Sequence, residues 1–64
     1  DVLHVRTPFA DGSMEIVDSE GKLMKKITIT DFTTDVSIQQ LAKGIYIIRV
    51  KHKKDAVAEK FIKT

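Results

Sequence analysis

The most strongly patterned segment of the chain is Gly44-Ile45-Tyr46-Ile47-Ile48-Arg49-Val50-Lys51. It consists largely of β-branched and aromatic residues, which favour extended backbone. Its apolar residues fall on both faces of such a strand over much of its length, which is typical of a central position in a sheet. The segment is therefore predicted to be the central strand around which the rest of the chain is arranged.

Four further runs with strand alternation lie on its N-terminal side. They are Asp1–Arg6, Ser13–Asp18, Leu23–Thr30 and Val36–Ile38. The first two are separated by Thr7–Gly12, which contains a proline and an Asp-Gly pair and so interrupts strand pairing. In the third run, Leu23, Ile27 and Ile29 are predicted to share one face. Lys25 interrupts that face, which predicts a bulge or a position at the edge of the sheet.

Two segments could be helical. Ser37–Gln40 fits a capping box and Gly44 fits the residue that follows a helix, so one helical turn is predicted before the central strand. Asp55–Lys63 could form a short helix, or a strand that pairs with Ile45–Lys51 through a turn at His52–Asp55. Length favours the strand, because two turns of helix are marginal alone. Short runs separated by turns about every 8–12 residues predict an all-β sandwich.

The composition excludes several kinds of protein. With 64 residues, the chain is long enough for one small domain and too short to enclose a deep catalytic cavity. It has no cysteine, so disulfides and Cys/His zinc sites are excluded. His4 and His52 are the only imidazoles, and the sequence suggests no partner for either. No nucleophile–base pattern, phosphate-binding loop or EF-hand spacing is visible, so no catalytic residue, cofactor or metal site is predicted.

Lysines are concentrated in the C-terminal third of the chain, while the formal net charge is only +2. They are Lys51, Lys53, Lys54, Lys60 and Lys63. A local basic patch can steer association with an anionic partner, although a solvated face explains such a cluster more simply. Nucleic-acid binding would need aromatic residues interleaved with the lysines on one sheet face, so no nucleic-acid partner is predicted.

Three stretches together resemble the C-terminal sorting domain of proteins exported by the bacterial type IX (Por) secretion system, type A family. They are the strand ending in Asp18 with Gly21-Lys22 and Leu23 after it; Val36-Ser37-Ile38 with Leu41-Ala42-Lys43-Gly44-Ile45-Tyr46-Ile47-Ile48-Arg49-Val50; and the terminal Lys60-Phe61-Ile62-Lys63. The second is the most specific and is similar to the family pattern Leu-x-x-Gly-apolar-Tyr-apolar-apolar-Lys/Arg-Val. The resemblance extends over essentially all 64 residues.

The resemblance implies a small Ig-like antiparallel β-sandwich of about six to seven short strands, acting as a secretion signal and not as an enzyme. Residues 1–64 would be the sorting domain at the C-terminus of a larger secreted protein of a Bacteroidetes-type bacterium. The implied partners are the fused N-terminal cargo, the periplasmic and outer-membrane secretion machinery, and a sortase-like peptidase that removes the domain. The cargo would pass through the periplasm and become secreted or held at the cell surface.

The residues that carry the resemblance fall into two groups. Those interpreted as determining the fold are Gly21, Lys22, Leu41, Gly44 and Tyr46. Those interpreted as recognition candidates are Lys60, Phe61, Ile62 and Lys63. A terminal strand with a basic edge can offer backbone hydrogen bonds to a partner, although its apolar residues can equally complete the sandwich.

Two other possibilities follow from a sandwich with exposed strand edges. Two copies could pair through these edges and form a dimer. The domain could also be a small Ig-like binding or adhesion module, for example for carbohydrate. Such a module would be expected to expose aromatic rings, and the chain has no tryptophan, one tyrosine and three phenylalanines.

Overall fold

The computed structural model describes residues 2–64, and these residues form six β-strands in two antiparallel sheets. The strands are β1 (Val2–Arg6), β2 (Gly12–Asp18), β3 (Leu23–Ile29), β4 (Thr33–Ser37), β5 (Gly44–His52) and β6 (Asp55–Lys63). One sheet has the order β1-β4 and the other has the order β3-β2-β5-β6. Asp1, which the sequence places in the first strand, lies outside the described residues. The predicted all-β class is confirmed, and the arrangement is compatible with a small Ig-like sandwich.

The strand β5 has the central position that its sequence predicts. It pairs with β2 along one edge and with β6 along the other, over the whole of β6. Tyr46, Ile48 and Val50 point toward the β1-β4 sheet and are buried. Ile45 and Ile47 point to the opposite side and are exposed. The apolar residues of β5 therefore belong to two separate surfaces, a core and an outer sheet face.

The hydrophobic core lies between the two sheets. Its buried members are Phe9, Met14, Ile16, Ile29, Val36, Leu41, Tyr46, Ile48 and Val50. Met14, Ile16, Ile29 and Val36 are the most deeply buried of these side chains. Each such side chain contributes about 1.5–3 kcal/mol when it leaves water, so a domain of this size depends strongly on every one of them.

The sequence predicts a bulge or an edge position at Lys25, and the structure has both. Ile16 pairs with Lys25 and Val17 pairs with Leu23, so Met24 is an extra residue in β3 and the register shifts there. The strand β3 is the first in the order β3-β2-β5-β6 and thus lies at an edge. Lys25 lies opposite the buried Ile16, and its ammonium donates to the carbonyl oxygen of Ser37 in the other sheet at 2.9 Å.

The predicted common face of Leu23, Ile27 and Ile29 is wrong for Leu23. The extra residue in β3 moves Leu23 out of step with the residues that follow, because side chains alternate strictly between bulges. Leu23 consequently stands opposite Val17 on the outer face of the sheet and is half exposed. This displacement supplies an apolar side chain to a surface that simple alternation would leave without it.

The predicted helical turn before β5 is also wrong. Residues 38–41 form one turn, closed by the amide of Leu41 donating to the carbonyl of Ile38 at 3.1 Å. Residues 2–64 contain no helix, and hence none that could cross a membrane. The connection between β4 and β5 is too short to stabilise a helix, and polar residues that favour helix caps also favour turns. Gly44 begins β5 at φ 159°, close to fully extended backbone.

The C-terminal segment is a strand, as its length predicts. His52 pairs with Asp55, so Lys53 and Lys54 form a two-residue hairpin loop between β5 and β6. Lys53 has φ 54°, the one non-glycine residue of the described chain at positive φ. Left-handed backbone costs a residue with a side chain about 1–2 kcal/mol, whereas asparagine tolerates it better.

Replacing Lys53 with asparagine is expected to stabilise the domain by about 0.5–1 kcal/mol, because asparagine relieves part of this backbone cost. Lys54→Asn is the matched control, since it changes the same charge in the same loop at a residue without positive φ. Urea unfolding followed by circular dichroism measures the difference. Equal midpoints for the two variants would contradict the explanation.

Candidate recognition face

The terminal strand divides the four recognition candidates between the two faces of the sheet. Phe61 pairs with Tyr46, whose side chain points into the core, and Ile62 pairs with the outward-facing Ile45. By alternation, Phe61 and Lys63 lie on the inner side, and Lys60 and Ile62 lie on the outer side. The sequence treats the four residues as one motif, and the structure separates them into two pairs with different surroundings.

The inner phenylalanine packs on the tyrosine of the central strand. The rings of Phe61 and Tyr46 are stacked with centroids 5.3 Å apart and planes inclined by 22°. The Tyr46 hydroxyl donates a hydrogen bond to the carbonyl oxygen of Ala42. The aromatic pair therefore joins β5, β6 and the loop between β4 and β5 in one contact.

Lys63, the other inward-facing residue of the motif, also contacts the loop between β4 and β5. The Lys63 ammonium donates to the carbonyl oxygens of Ile38 at 2.6 Å and of Leu41 at 2.7 Å. These carbonyls belong to the turn that precedes β5. Hydrogen bonds from a charged donor are stronger than neutral ones, so Lys63 fastens the end of the chain to the body of the domain.

The turn between β2 and β3 explains the position of Gly21-Lys22 in the sequence. The amide of Gly21 donates to the carbonyl of Asp18, and the amide of Asp18 donates to the carbonyl of Lys22. Gly21 has φ 84°, so the loop is a turn followed by a left-handed residue, a common three-residue hairpin. The Asp18 carboxylate also accepts from the amides of Glu20 and Lys22, both at 2.9 Å.

Asp18 is a structural residue that sequence reasoning did not single out. Its position immediately before a three-residue loop was a usable signal, because aspartate often accepts hydrogen bonds from turn amides. Among the motif residues interpreted as determining the fold, Leu41 and Tyr46 are buried, whereas Gly21 and Lys22 are exposed.

Each histidine pairs with an aspartate, which corrects the expectation that neither has a partner. His4 Nδ1 lies 2.6 Å from Asp35 Oδ1 across β1 and β4, and His52 Nε2 lies 2.6 Å from Asp11 Oδ1. Each aspartate is distant from its histidine in the sequence, so local sequence patterns do not reveal the two pairs. Neither pair is joined by a third metal-binding side chain in residues 2–64.

The outer face of the β3-β2-β5-β6 sheet has an apolar half. Its members are Val17, Leu23, Ile45, Ile47 and Ile62. Val17 is only 5% exposed although it belongs to no part of the core, since Leu23 and Ile47 stand beside it on the neighbouring strands. The other four side chains are 37–59% exposed. These residues form a continuous apolar surface rather than isolated hydrophobic side chains.

The other half of this face is cationic. Glu15 lies at its centre, with Arg49 Nη2 at 3.2 Å and Lys51 Nζ at 3.7 Å from Oε1. Lys26 stands opposite Glu15 on β3, and Lys60 stands beside Ile47 at the boundary with the apolar half. Within the described strands, the outward positions of this sheet hold these four cations and the one carboxylate.

A smaller apolar groove lies on the inner side of the same sheet. It is lined by Val5, Arg6, Thr7, Pro8, Ile48, Val50, Val57 and Glu59. The groove is open because the β1-β4 sheet has fewer strands than its partner and leaves part of β6 uncovered. Val57 is consequently 43% exposed.

The fold is that of a small β-sandwich, in which the distinctive features are an outer sheet face and a closing strand. The family model of the secretion system C-terminal sorting domain matches residues 1–64, the whole chain. The chain therefore belongs to this family, whose domains are sorting signals for type IX secretion and not enzymes. No curated protein and no solved structure matches the chain.

Membership of this family implies that the domain is fused to a cargo protein and interacts with the type IX machinery. It also implies that the cargo is exported across the outer membrane. The exported cargo is secreted or held at the cell surface. No finding favours the alternative of an Ig-like adhesion module over this function.

Proposed function

We propose that the secretion machinery recognises residues 1–64 in the periplasm as a folded domain, with β6 as part of the contact, and that a sortase-like peptidase then removes the domain from its N-terminal cargo. The observation that carries this proposal is the division of the terminal strand. Phe61 and Lys63 fasten it to the fold, and Lys60 and Ile62 are thereby displayed at fixed positions.

Recognition of the folded domain explains why the motif residues are spread over the whole sequence. An unstructured Lys-Phe-Ile-Lys peptide would have no fixed faces, so a receptor would meet all four side chains in many arrangements. In the folded domain, Lys60 stands beside Ile47 and Ile62 stands beside Ile45. The receptor then meets a preorganised surface, which lowers the entropic cost of binding.

The two edges of the large sheet offer a second mode of contact. The strands β3 and β6 end the order β3-β2-β5-β6 and can accept an added strand from a partner. A dimer of two copies through such an edge stays a prediction. The strand β6 carries Asp55 and Glu59 as well as Lys60 and Lys63, so its charge does not oppose pairing with a second copy. Analytical ultracentrifugation of the purified domain tests for such a dimer.

The sorting function is tested by fusing the domain, behind a signal peptide, to a reporter in a host that has a type IX system. The intact fusion is expected outside the cell without the domain attached, because the peptidase removes it. A fusion that lacks residues 60–64 is expected to stay in the periplasm. Periplasmic retention of a folded, intact fusion would contradict the proposal.

Circular dichroism of the truncated domain separates two reasons for its retention. Loss of the β-sheet signal would mean that the deletion removes the fold, which Phe61 and Lys63 stabilise. A folded but retained domain would show that the missing strand contacts the machinery. A host without the peptidase should export the fusion with the domain still attached, and cleavage in that host would contradict the assigned peptidase.

A further inference from the structure

We propose that the outer face of the β3-β2-β5-β6 sheet is the surface by which the domain docks on the secretion machinery. Its partner there is a protein surface with an apolar patch next to acidic side chains. This proposal rests on the sorting function proposed above, and it extends the contact from β6 to all four strands of the sheet.

The apolar half of the face indicates an interface because solvent-facing sides of antiparallel sheets are ordinarily polar. Ile45 and Ile62 stand opposite each other on neighbouring strands and are 46% and 59% exposed. Leu23 reaches the same surface only because of the bulge in β3. A contiguous exposed apolar patch rimmed by polar residues typically marks a binding site.

The cationic half determines the chemistry of the partner. Glu15 is largely covered, with a side chain that is 16% exposed, while Arg49 and Lys51 remain 47% and 53% exposed beside it. Glu15 thus orients two cations without neutralising the face, and Lys26 and Lys60 add to the positive charge. Acidic groups on the partner would complement this half and fix the orientation in which the domain docks.

A protein partner explains both halves better than a second copy of the chain. Two fully overlapping copies would place either two cationic halves together or each cationic half over an apolar half. Neither arrangement is complementary. A lipid surface is also disfavoured, because the outward positions described in this sheet carry no aromatic residue of the kind enriched at membrane interfaces.

The apolar half is tested with the double variant Ile45→Thr/Ile62→Thr in the reporter fusion. Threonine keeps the strand propensity and removes apolar surface. We expect the exported fraction to fall about tenfold, as is typical when central interface residues are truncated. The matched control is Val2→Thr/Phe32→Thr, which removes exposed apolar side chains outside this sheet and should export like the intact fusion.

The cationic half is tested independently with Lys26→Glu/Lys60→Glu, against Lys43→Glu/Lys54→Glu as a charge-matched control outside the strands. Only the first pair is expected to reduce export, and this pair keeps the proposal testable if the threonine variant does not fold. Normal export of both face variants would overturn the docking face while leaving the sorting function intact. Retention of the unmodified fusion would instead overturn the sorting function itself.

Two further measurements on the intact fusion distinguish the partner class. Sedimentation with vesicles of anionic phosphatidylglycerol that is lost in both face variants would overturn a protein partner in favour of lipid. A dimer in analytical ultracentrifugation that Ile45→Thr/Ile62→Thr abolishes would overturn it in favour of a second copy. A monomer that does not bind the vesicles supports the proposal.

Discussion

Replacing Gly12 with alanine will unfold the domain and abolish export of its fused cargo. Gly12 has φ 126°, and a Cβ at this position would collide with the backbone carbonyl of Lys51 in β5. The obstacle is main chain, so no side-chain rotation relieves it, and β2 would have to move away from its partner. The expected loss of about 3 kcal/mol or more is comparable with the roughly 3–10 kcal/mol that stabilises a domain of this length.

Gly21→Ala is the matched control for this prediction. Gly21 also has positive φ, at 84°, but a Cβ there would meet no atom within 4 Å. Alanine should therefore cost only the left-handed backbone term of about 1–2 kcal/mol. In a domain this small, each 1 kcal/mol lowers the melting temperature by roughly 4–8 °C, which circular dichroism resolves easily.

The two glycine variants should differ clearly in thermal melting and in the reporter assay. Gly21→Ala is expected to melt cooperatively and to be exported at temperatures where it is folded. Gly12→Ala is expected to lack the β-sheet signal. Similar melting temperatures for the two variants would show that β2 and β5 separate at little cost, and would contradict the close approach as the reason for Gly12.

The constraint on Gly12 is one that the sequence alone does not reveal. The Asp11-Gly12 pair predicts a turn, but Gly12 is the first residue of β2. Its close approach to β5 accompanies the pairing of Ser13 with Lys51, a contact between distant segments. Local patterns carry no information about which backbone passes a glycine in the folded chain. The central position of β5 was predictable because its composition is unusual over a whole strand.

Two of the errors in the fold, the helical turn and the face of Leu23, have the same origin. A third is the position of β4, which begins at Thr33 and not at Val36. The capping-box pattern at Ser37–Gln40 is local and fits a turn as well as a helix, so the length of the connection decided the outcome. Lys25 correctly indicated a bulge, but the sequence did not show which side chain the extra residue would move to the opposite face of the sheet. The structure shows that it is Leu23, and the outer apolar surface was missed for that reason.

The sequence alone is sufficient to predict that the residues of the terminal motif divide between the two faces of the sheet. Strict alternation requires that Lys60 and Ile62 lie on one face and Phe61 on the other. Choosing which face points inward needed one more fact, the pairing of Phe61 with Tyr46. The bonds from Lys63 to the loop carbonyls could not be foreseen, because they depend on the path of a loop with no regular structure.

Lys63→Met is expected to lower the free energy of unfolding by about 2 kcal/mol. Methionine keeps the apolar stem and removes the charged donor, so the carbonyls of Ile38 and Leu41 lose their hydrogen bonds at 2.6 and 2.7 Å. Hydrogen bonds that involve a charged group contribute about 1.5–3 kcal/mol. Half-burial of Lys63 lets water replace part of this loss, which places the expected effect near the lower end of that range.

Lys60→Met is the matched control, with the same chemical change three residues earlier in the same strand. The Lys60 side chain points outward beside Ile47, so its removal should leave the melting temperature unchanged. Export should nevertheless fall about two- to fivefold, because an exposed charge at the rim of an interface contributes up to about 1 kcal/mol.

The two lysine variants therefore separate the stabilising role of Lys63 from the proposed recognition role of Lys60. Urea unfolding reports the first effect, and the exported fraction of the reporter fusion reports the second. Export of Lys63→Met should recover at a lower temperature, where the variant is fully folded, whereas that of Lys60→Met should not. If Lys63→Met keeps full stability and still loses export at every temperature, then its ammonium contacts the machinery and the loop carbonyls are not its essential partners.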